Sequence, residues 1–111
     1  VCPTALDTWD EAALAGTLFH TEAERAAFRR LLDLGYRDLY REQHPTARAF
    51  SWWDYRGGAF HRGMGLRIDL VLGAPGVAGR LRSAEVDREY RKKRFELTPS
   101  DHAPVIVDLG A

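Results

Sequence analysis

The run Leu66-Arg67-Ile68-Asp69-Leu70-Val71-Leu72 constrains the fold more than any other feature of this chain. It begins with partial alternation and turns continuously apolar, the pattern of a strand covered on both faces. A second run rich in Val, Ile and Leu, Val105 to Leu109, closes the chain. Each run needs a sheet neighbour and a covering layer. Only one long helix is evident, over residues 21–34, and one helix is thin cover for such a sheet. The expectation is a mixed α/β chain that is one part of a larger layered domain.

The helix itself is well marked. Thr21 is placed to N-cap it, and Glu24 three positions later completes a capping box. Phe28, Leu31 and Leu32 fall on one face. Gly35 stands where a left-handed residue ends a helix. Residues 10–14 read as one helical turn. Arg37 to His44 reads as a second short helix, ended by Pro45. Phe50 to Tyr55 is a short aromatic strand, followed by a loop bracketed by Gly57-Gly58 and Gly63-Met64-Gly65. Ala74-Pro75-Gly76 is a turn, and residues 77–81 read as one helical turn. Residues 82–90 read as a strand with Ala84 and Val86 on one face.

Charge and composition narrow the function little. Lys+Arg and Asp+Glu both total 16 in 111 residues, so net charge gives no pull toward nucleic acid. A local basic surface opposite an acidic one remains compatible with that balance. Cys2 is the only cysteine, which rules out an intrachain disulfide and fits a reducing cytosol. No run approaches the ~18–20 apolar residues of a membrane helix. The chain begins at Val1 without a methionine, which reads as processing, trimming or a start at an internal point.

The chemistry gathers at strand edges. Asp69 interrupts an apolar strand, where a carboxylate costs several kcal/mol unless paired. Asp101-His102 follows a Pro-Ser turn and precedes the last strand. One reading is an Asp69–His102 dyad, in which the carboxylate fixes the imidazole tautomer and leaves the other nitrogen for a phosphate or a water. The other reading pairs Asp69 with Arg67 or with a turn, and leaves His102 on a surface loop. The 33-residue spacing does not choose between them. No His or Cys pattern suits a soft metal, so any metal would be a hard, oxygen-liganded ion such as Mg²⁺. Asp101 would contribute to it, but one carboxylate cannot hold it.

Trp52 and Trp53 are adjacent in a strand and therefore face opposite sides of the sheet. One indole packs in the core; the other packs half-buried or lines a pocket. Arg56, His61 and Arg62 are either phosphate contacts or a solvated loop. The basic run Arg91-Lys92-Lys93-Arg94 reads as a solvated face.

Three blocks taken in order carry a resemblance. Residues 50–56 resemble the "SWWDYR" strand of the exonuclease III family of AP endonucleases. Residues 65–72 resemble its "GxRID" strand, and residues 99–105 its "PSDHAPV" ending. The stretch from Thr21 through Gly35, Asp38 and His44-Pro45 is similar to the preceding family segment, and Val1-Cys2-Pro3 to the end of its "GDFNVAP" block.

The resemblance implies a four-layer α/β sandwich, the endonuclease/exonuclease/phosphatase fold. Residues 1–111 would be the C-terminal portion of that single domain, with mainly antiparallel sheet and covering helices. It implies a DNA-repair nuclease that hydrolyses phosphodiesters of double-stranded DNA at abasic sites and 3′ ends, with Mg²⁺ or Mn²⁺, in a bacterial cytoplasm. By position, Asp69 and His102 would be the catalytic pair and Asp101 the metal-side carboxylate. Trp52 and Leu66 would border the abasic sugar, and Arg56 and Arg62 would approach DNA. Leu66 departs from the Trp that eukaryotic relatives often carry, which favours the bacterial branch. The other metal ligands of the family match nothing in this chain, so the chain alone is expected to be inactive. It is also expected to self-associate or to require the rest of the domain. Other branches of the superfamily, acting on inositol phosphates or sphingomyelin, share the "SDHxPV" ending but not the Trp-Trp block. A non-catalytic DNA-binding module is the alternative outside enzymology.

Overall fold

The computed structural model describes residues 1–92 and 98–110. Helices α1 (Glu11–Leu14), α2 (Glu22–Asp33), α3 (Leu39–Gln43) and α4 (Pro75–Ala78) are interspersed with short strands. The strands are β1 (Arg37–Asp38), β2 (Trp52–Trp53), β3 (Gly65–Leu66), β4 (Leu72–Gly73), β5 (Leu81–Val86) and β6 (Val105–Leu109). The described ladders are antiparallel and join β1 to β4, β2 to β3, and β5 to β6. The architecture is mixed α/β, as the apolar runs and the single long helix imply. No helix among the described residues is long and apolar enough to cross a membrane.

Local signals set α2. The Thr21 hydroxyl accepts the N–H of Glu24 at 3.1 Å, and Glu24 reaches back to the N–H of Thr21 at 3.4 Å. Phe28 is its buried residue. Gly35 follows at φ 106°, a conformation that side-chain-bearing residues rarely adopt.

The expected strand over 66–72 is divided. Its first end pairs with β2 and its far end, β4, pairs with β1. Arg67 to Val71 crosses between these two neighbours outside any regular ladder. Single bonds replace the ladder there: Arg67 N–H to Asp7 carbonyl at 2.8 Å, and Leu39 N–H to Val71 carbonyl at 3.0 Å. The expected helix over 37–44 starts later, because Arg37 and Asp38 pair with β4 and the Asp38 carboxylate caps α3. The turn expected at 77–81 lies earlier, with Pro75 at its start as the fixed proline φ favours. The strand expected at 82–90 ends at Val86, where Asp87 caps a 3-10 turn over Arg88–Arg91.

A buried ion network ties these pieces together. Asp7, Arg67 and Asp38 are all buried. Arg67 Nε donates to Asp7 Oδ1 at 2.7 Å, while Nη1 and Nη2 grip both Asp38 oxygens at 2.9 and 2.5 Å. Arg41 Nη2 adds a second donor to Asp7 at 2.5 Å. The bidentate geometry suits a planar guanidinium.

The apolar core is Trp53, Ala59, Phe60 and Ala103, with Phe50, Met64 and Val86 against it. Trp53 and Phe60 meet edge to face at 5.0 Å. Gly65 is required here. A Cβ at this position would lie 2.4 Å from Trp53 Nε1 and 2.7 Å from Phe50. Arg91 is buried rather than solvated: it lies over Tyr55 and Phe60 at 4.9 and 5.0 Å and donates to the Trp53 carbonyl. Lys92 is exposed and pairs with Glu89, and Lys93 and Arg94 lie outside the described residues.

Candidate active site

The site is built on three extended segments side by side. The middle one is Ser51–Trp53. On one side Trp52 pairs with Leu66 and Trp53 with Gly65. On the other, Trp52 bridges His102, the Trp53 N–H donates to the Asp101 carbonyl at 3.2 Å, and the Ala103 N–H donates to the Ser51 carbonyl at 2.8 Å. Residues 69 and 102 are thus 33 apart in sequence but flank the same strand.

Asp69 Oδ2 lies 2.6 Å from His102 Nδ1. Arg67 does not pair with Asp69, because its guanidinium is committed to Asp7 and Asp38. Asp69 and His102 are each about two-fifths exposed, so the pair is open to a ligand. With Nδ1–H donating to the carboxylate, Nε2 carries the free lone pair. This nitrogen is 3.9 Å from Asp101 Oδ1. Asp101 is held in turn by Trp52, whose Nε1 donates to Oδ2 at 3.0 Å. The loop is shaped locally as well, since the His102 N–H donates to the Ser100 hydroxyl at 3.0 Å.

Trp52 has a second role. With Leu66, Trp9, Met64, Asp54 and Arg56 it lines an apolar cleft of about 380 Å³. Trp53, facing the other way, is in the core. Arg56 stands on the cleft rim and bonds Asp54 through Nε and Nη2 at 3.2 and 2.9 Å. Those hydrogen bonds pull the Asp54 carboxyl down to about 2. Arg62 is exposed on the adjoining loop, bonds the Gly57 carbonyl, and does not line the cleft. His61 is exposed on the same loop. A groove of about 840 Å³ is lined by Asp69 and His102 themselves together with Ile68, Leu70, Val71 and Val105.

Comparison with known proteins places the chain. It is 41% identical over 87 residues to exodeoxyribonuclease III of Haemophilus influenzae, covering 78% of this chain and 32% of that protein. It is 34% identical over 86 residues to the exodeoxyribonuclease of Bacillus subtilis, covering 77% and 31%. Its structure matches the 3′ phosphatase NExo from Neisseria, bound to a product DNA hairpin, with a TM-score of 0.93 at 38% identity. An AP endonuclease from Archaeoglobus fulgidus matches with a TM-score of 0.90 at 32% identity. Each structural match covers 100% of this chain and 42% of the other. The chain belongs to the exonuclease III family. No family model matches it. The chain spans about a third of the length of the curated relatives it matches.

Family membership implies a divalent metal. Among the described residues, no group of three His, Cys, Asp or Glu side chains converges as a metal site. Asp101 already accepts from Trp52, and Asp69 is engaged by His102. These described residues do not by themselves fit a metal ion.

Sequence reasoning missed three contributors. Asp7 and Asp38 hold Arg67, and Ser51 joins the three segments. Arg67 lies 60 residues from Asp7 and 29 from Asp38, and Ile68 and Asp69 lie 17 and 18 from Ser51, beyond any local pattern.

Proposed function

We propose that this exonuclease III family chain is the C-terminal portion of a single DNA-repair phosphodiesterase domain. The reaction is hydrolysis of phosphodiesters in double-stranded DNA at abasic sites and 3′ ends. The observation that carries this reading is the 2.6 Å contact between Asp69 Oδ2 and His102 Nδ1, beside Asp101 and the Trp52 cleft. The DNA-bound structural relative supports DNA as the partner. The relatives in Haemophilus influenzae and Bacillus subtilis support a bacterial setting.

The chemistry follows from the tautomer. Asp69 keeps the Nδ1 proton, so His102 Nε2 accepts a proton from water. The water oxygen forms a bond to phosphorus, the bond from phosphorus to the leaving sugar oxygen breaks, and solvent water protonates that oxygen. Asp69 stabilises the resulting imidazolium. Trp52 and Leu66 offer an apolar wall to a sugar that has lost its base, and Arg56 and Arg62 offer charge to flanking phosphates. A hard cation, Mg²⁺ or Mn²⁺, would need ligands beyond the described residues, with Asp101 supplying one oxygen.

The test is incision of an abasic-site duplex. The complete protein should cut it, and His102→Ala should slow turnover by roughly 10²- to 10⁴-fold. The 111-residue chain alone should leave the duplex intact. Unchanged turnover in His102→Ala overturns the catalytic reading. Phosphoinositide hydrolysis without action on abasic DNA would move the protein to another branch of the superfamily.

A further inference from the structure

Ser51 is fully buried and stands at the junction of the three segments that make the site. Its hydroxyl oxygen accepts two backbone N–H groups, those of Ile68 and Asp69, each at 3.1 Å. Its own N–H donates to the Leu66 carbonyl at 2.9 Å. Its carbonyl accepts the N–H of Ala103, the residue after His102, at 2.8 Å. One residue thus bonds the backbone on both sides of the dyad.

The need for a hydroxyl follows from the divided strand. The ladder with β2 stops at Leu66, and the next pairing begins at Leu72. The amides between them still need acceptors, since an unpaired backbone N–H away from water is costly. A regular strand would offer carbonyls. Here a side-chain oxygen takes two amides at once, and one belongs to Asp69 itself. Asp69 is about two-fifths exposed, so packing alone does not fix it.

We infer that Ser51 is a positioning residue: its hydroxyl sets the backbone of Asp69 so that the carboxylate meets His102 and holds one tautomer. This rests on the reading of the Asp69–His102 pair as catalytic. Ser51 touches no reacting atom. Its effect runs through Asp69, as support behind a catalytic group commonly does.

The experiment compares Ser51→Ala, Ser51→Thr and Phe28→Ala in the complete protein. It reads kcat and KM on an abasic-site duplex, the melting temperature, and the imidazole ¹⁵N spectrum of His102 without substrate. Ser51→Ala should lower kcat roughly 10- to 100-fold, as misplacement of a catalytic group does. KM should stay within about twofold, because binding contacts are untouched. The His102 spectrum should change from a single Nδ1–H tautomer to a mixture. Ser51→Thr, which keeps the hydroxyl, should restore both readouts. Phe28→Ala, which empties a buried position on α2, should lower the melting temperature and leave both unchanged. If Ser51→Ala cannot be isolated, Ser51→Cys replaces it, with similar size and a weaker acceptor. Wild-type kcat and spectrum in that variant overturn the inference. So does a loss of kcat that follows melting temperature alike in the Ser51 and Phe28 variants. Full turnover in His102→Ala would instead sink the catalytic reading, while the spectrum still reports whether Ser51 sets the pair.

Discussion

The indole Nε1 of Trp52 donates to Oδ2 of Asp101 at 3.0 Å, so a strand side chain fixes the carboxylate beside the imidazole. The same ring walls the apolar cleft with Leu66. Trp52→Phe keeps an aromatic wall and removes the donor. Turnover on abasic DNA is expected to fall about fivefold, the equivalent of roughly 1 kcal/mol for one partly exposed bond. Single-turnover kinetics would check this. No change would mean that the Asp101 orientation does not matter.

Arg67 is the buried cation between two buried carboxylates. Arg67→Met leaves Asp38 without its bidentate partner and takes from Asp7 one of its two guanidinium donors, leaving Arg41 and the bonds from Thr4. Removing one member of a buried ion network typically costs about 3–5 kcal/mol. Urea unfolding should show a loss of that order, and a change below about 1 kcal/mol would contradict the network's role.

Acid should act through Asp7. Burial alone pushes its carboxyl up, but hydrogen bonds and charge from Arg67 and Arg41 outweigh that and hold it below the usual carboxylate range. The unfolded chain then binds this proton more tightly than the native one. The stabilisation is present above the usual carboxylate pKa of about 4 and is lost as pH falls through the depressed native value. Melting temperature should therefore drop more steeply with acid in the wild type than in Asp7→Asn. Parallel curves would contradict this.

The groove along Ile68, Leu70, Val71 and Val105 leaves apolar side chains half-exposed, and Ile106, the next residue of β6, is exposed. Apolar surface of this kind usually marks an interface. The 111-residue chain by itself is expected to self-associate in sedimentation and to bind an apolar dye. A dye-silent monomer at high concentration would contradict this.

Legibility in the sequence followed the range of each interaction. The α2 cap was readable because Thr21 and Glu24 are three residues apart. The opposed faces of Trp52 and Trp53 were readable because strand geometry alternates. The 66–72 run misled because a strand needs partners along its whole length. Here β2 serves one end and β1 the other, with the Ser51 hydroxyl filling the gap. Arg67 misled similarly: it was a candidate partner for Asp69 two residues away, yet its partners are Asp7 and Asp38. The dyad came from family resemblance rather than spacing, since 33 residues separate its members.

The most direct measurement is the rate of abasic-site incision by the complete protein carrying Asp69→Asn, alongside a melting curve. The amide keeps the size of the side chain and loses the charge that holds the Nδ1 proton. If Asp69 and His102 work as one unit, kcat falls roughly 10²- to 10⁴-fold while the fold remains intact. Wild-type incision by a folded Asp69→Asn protein would contradict that account.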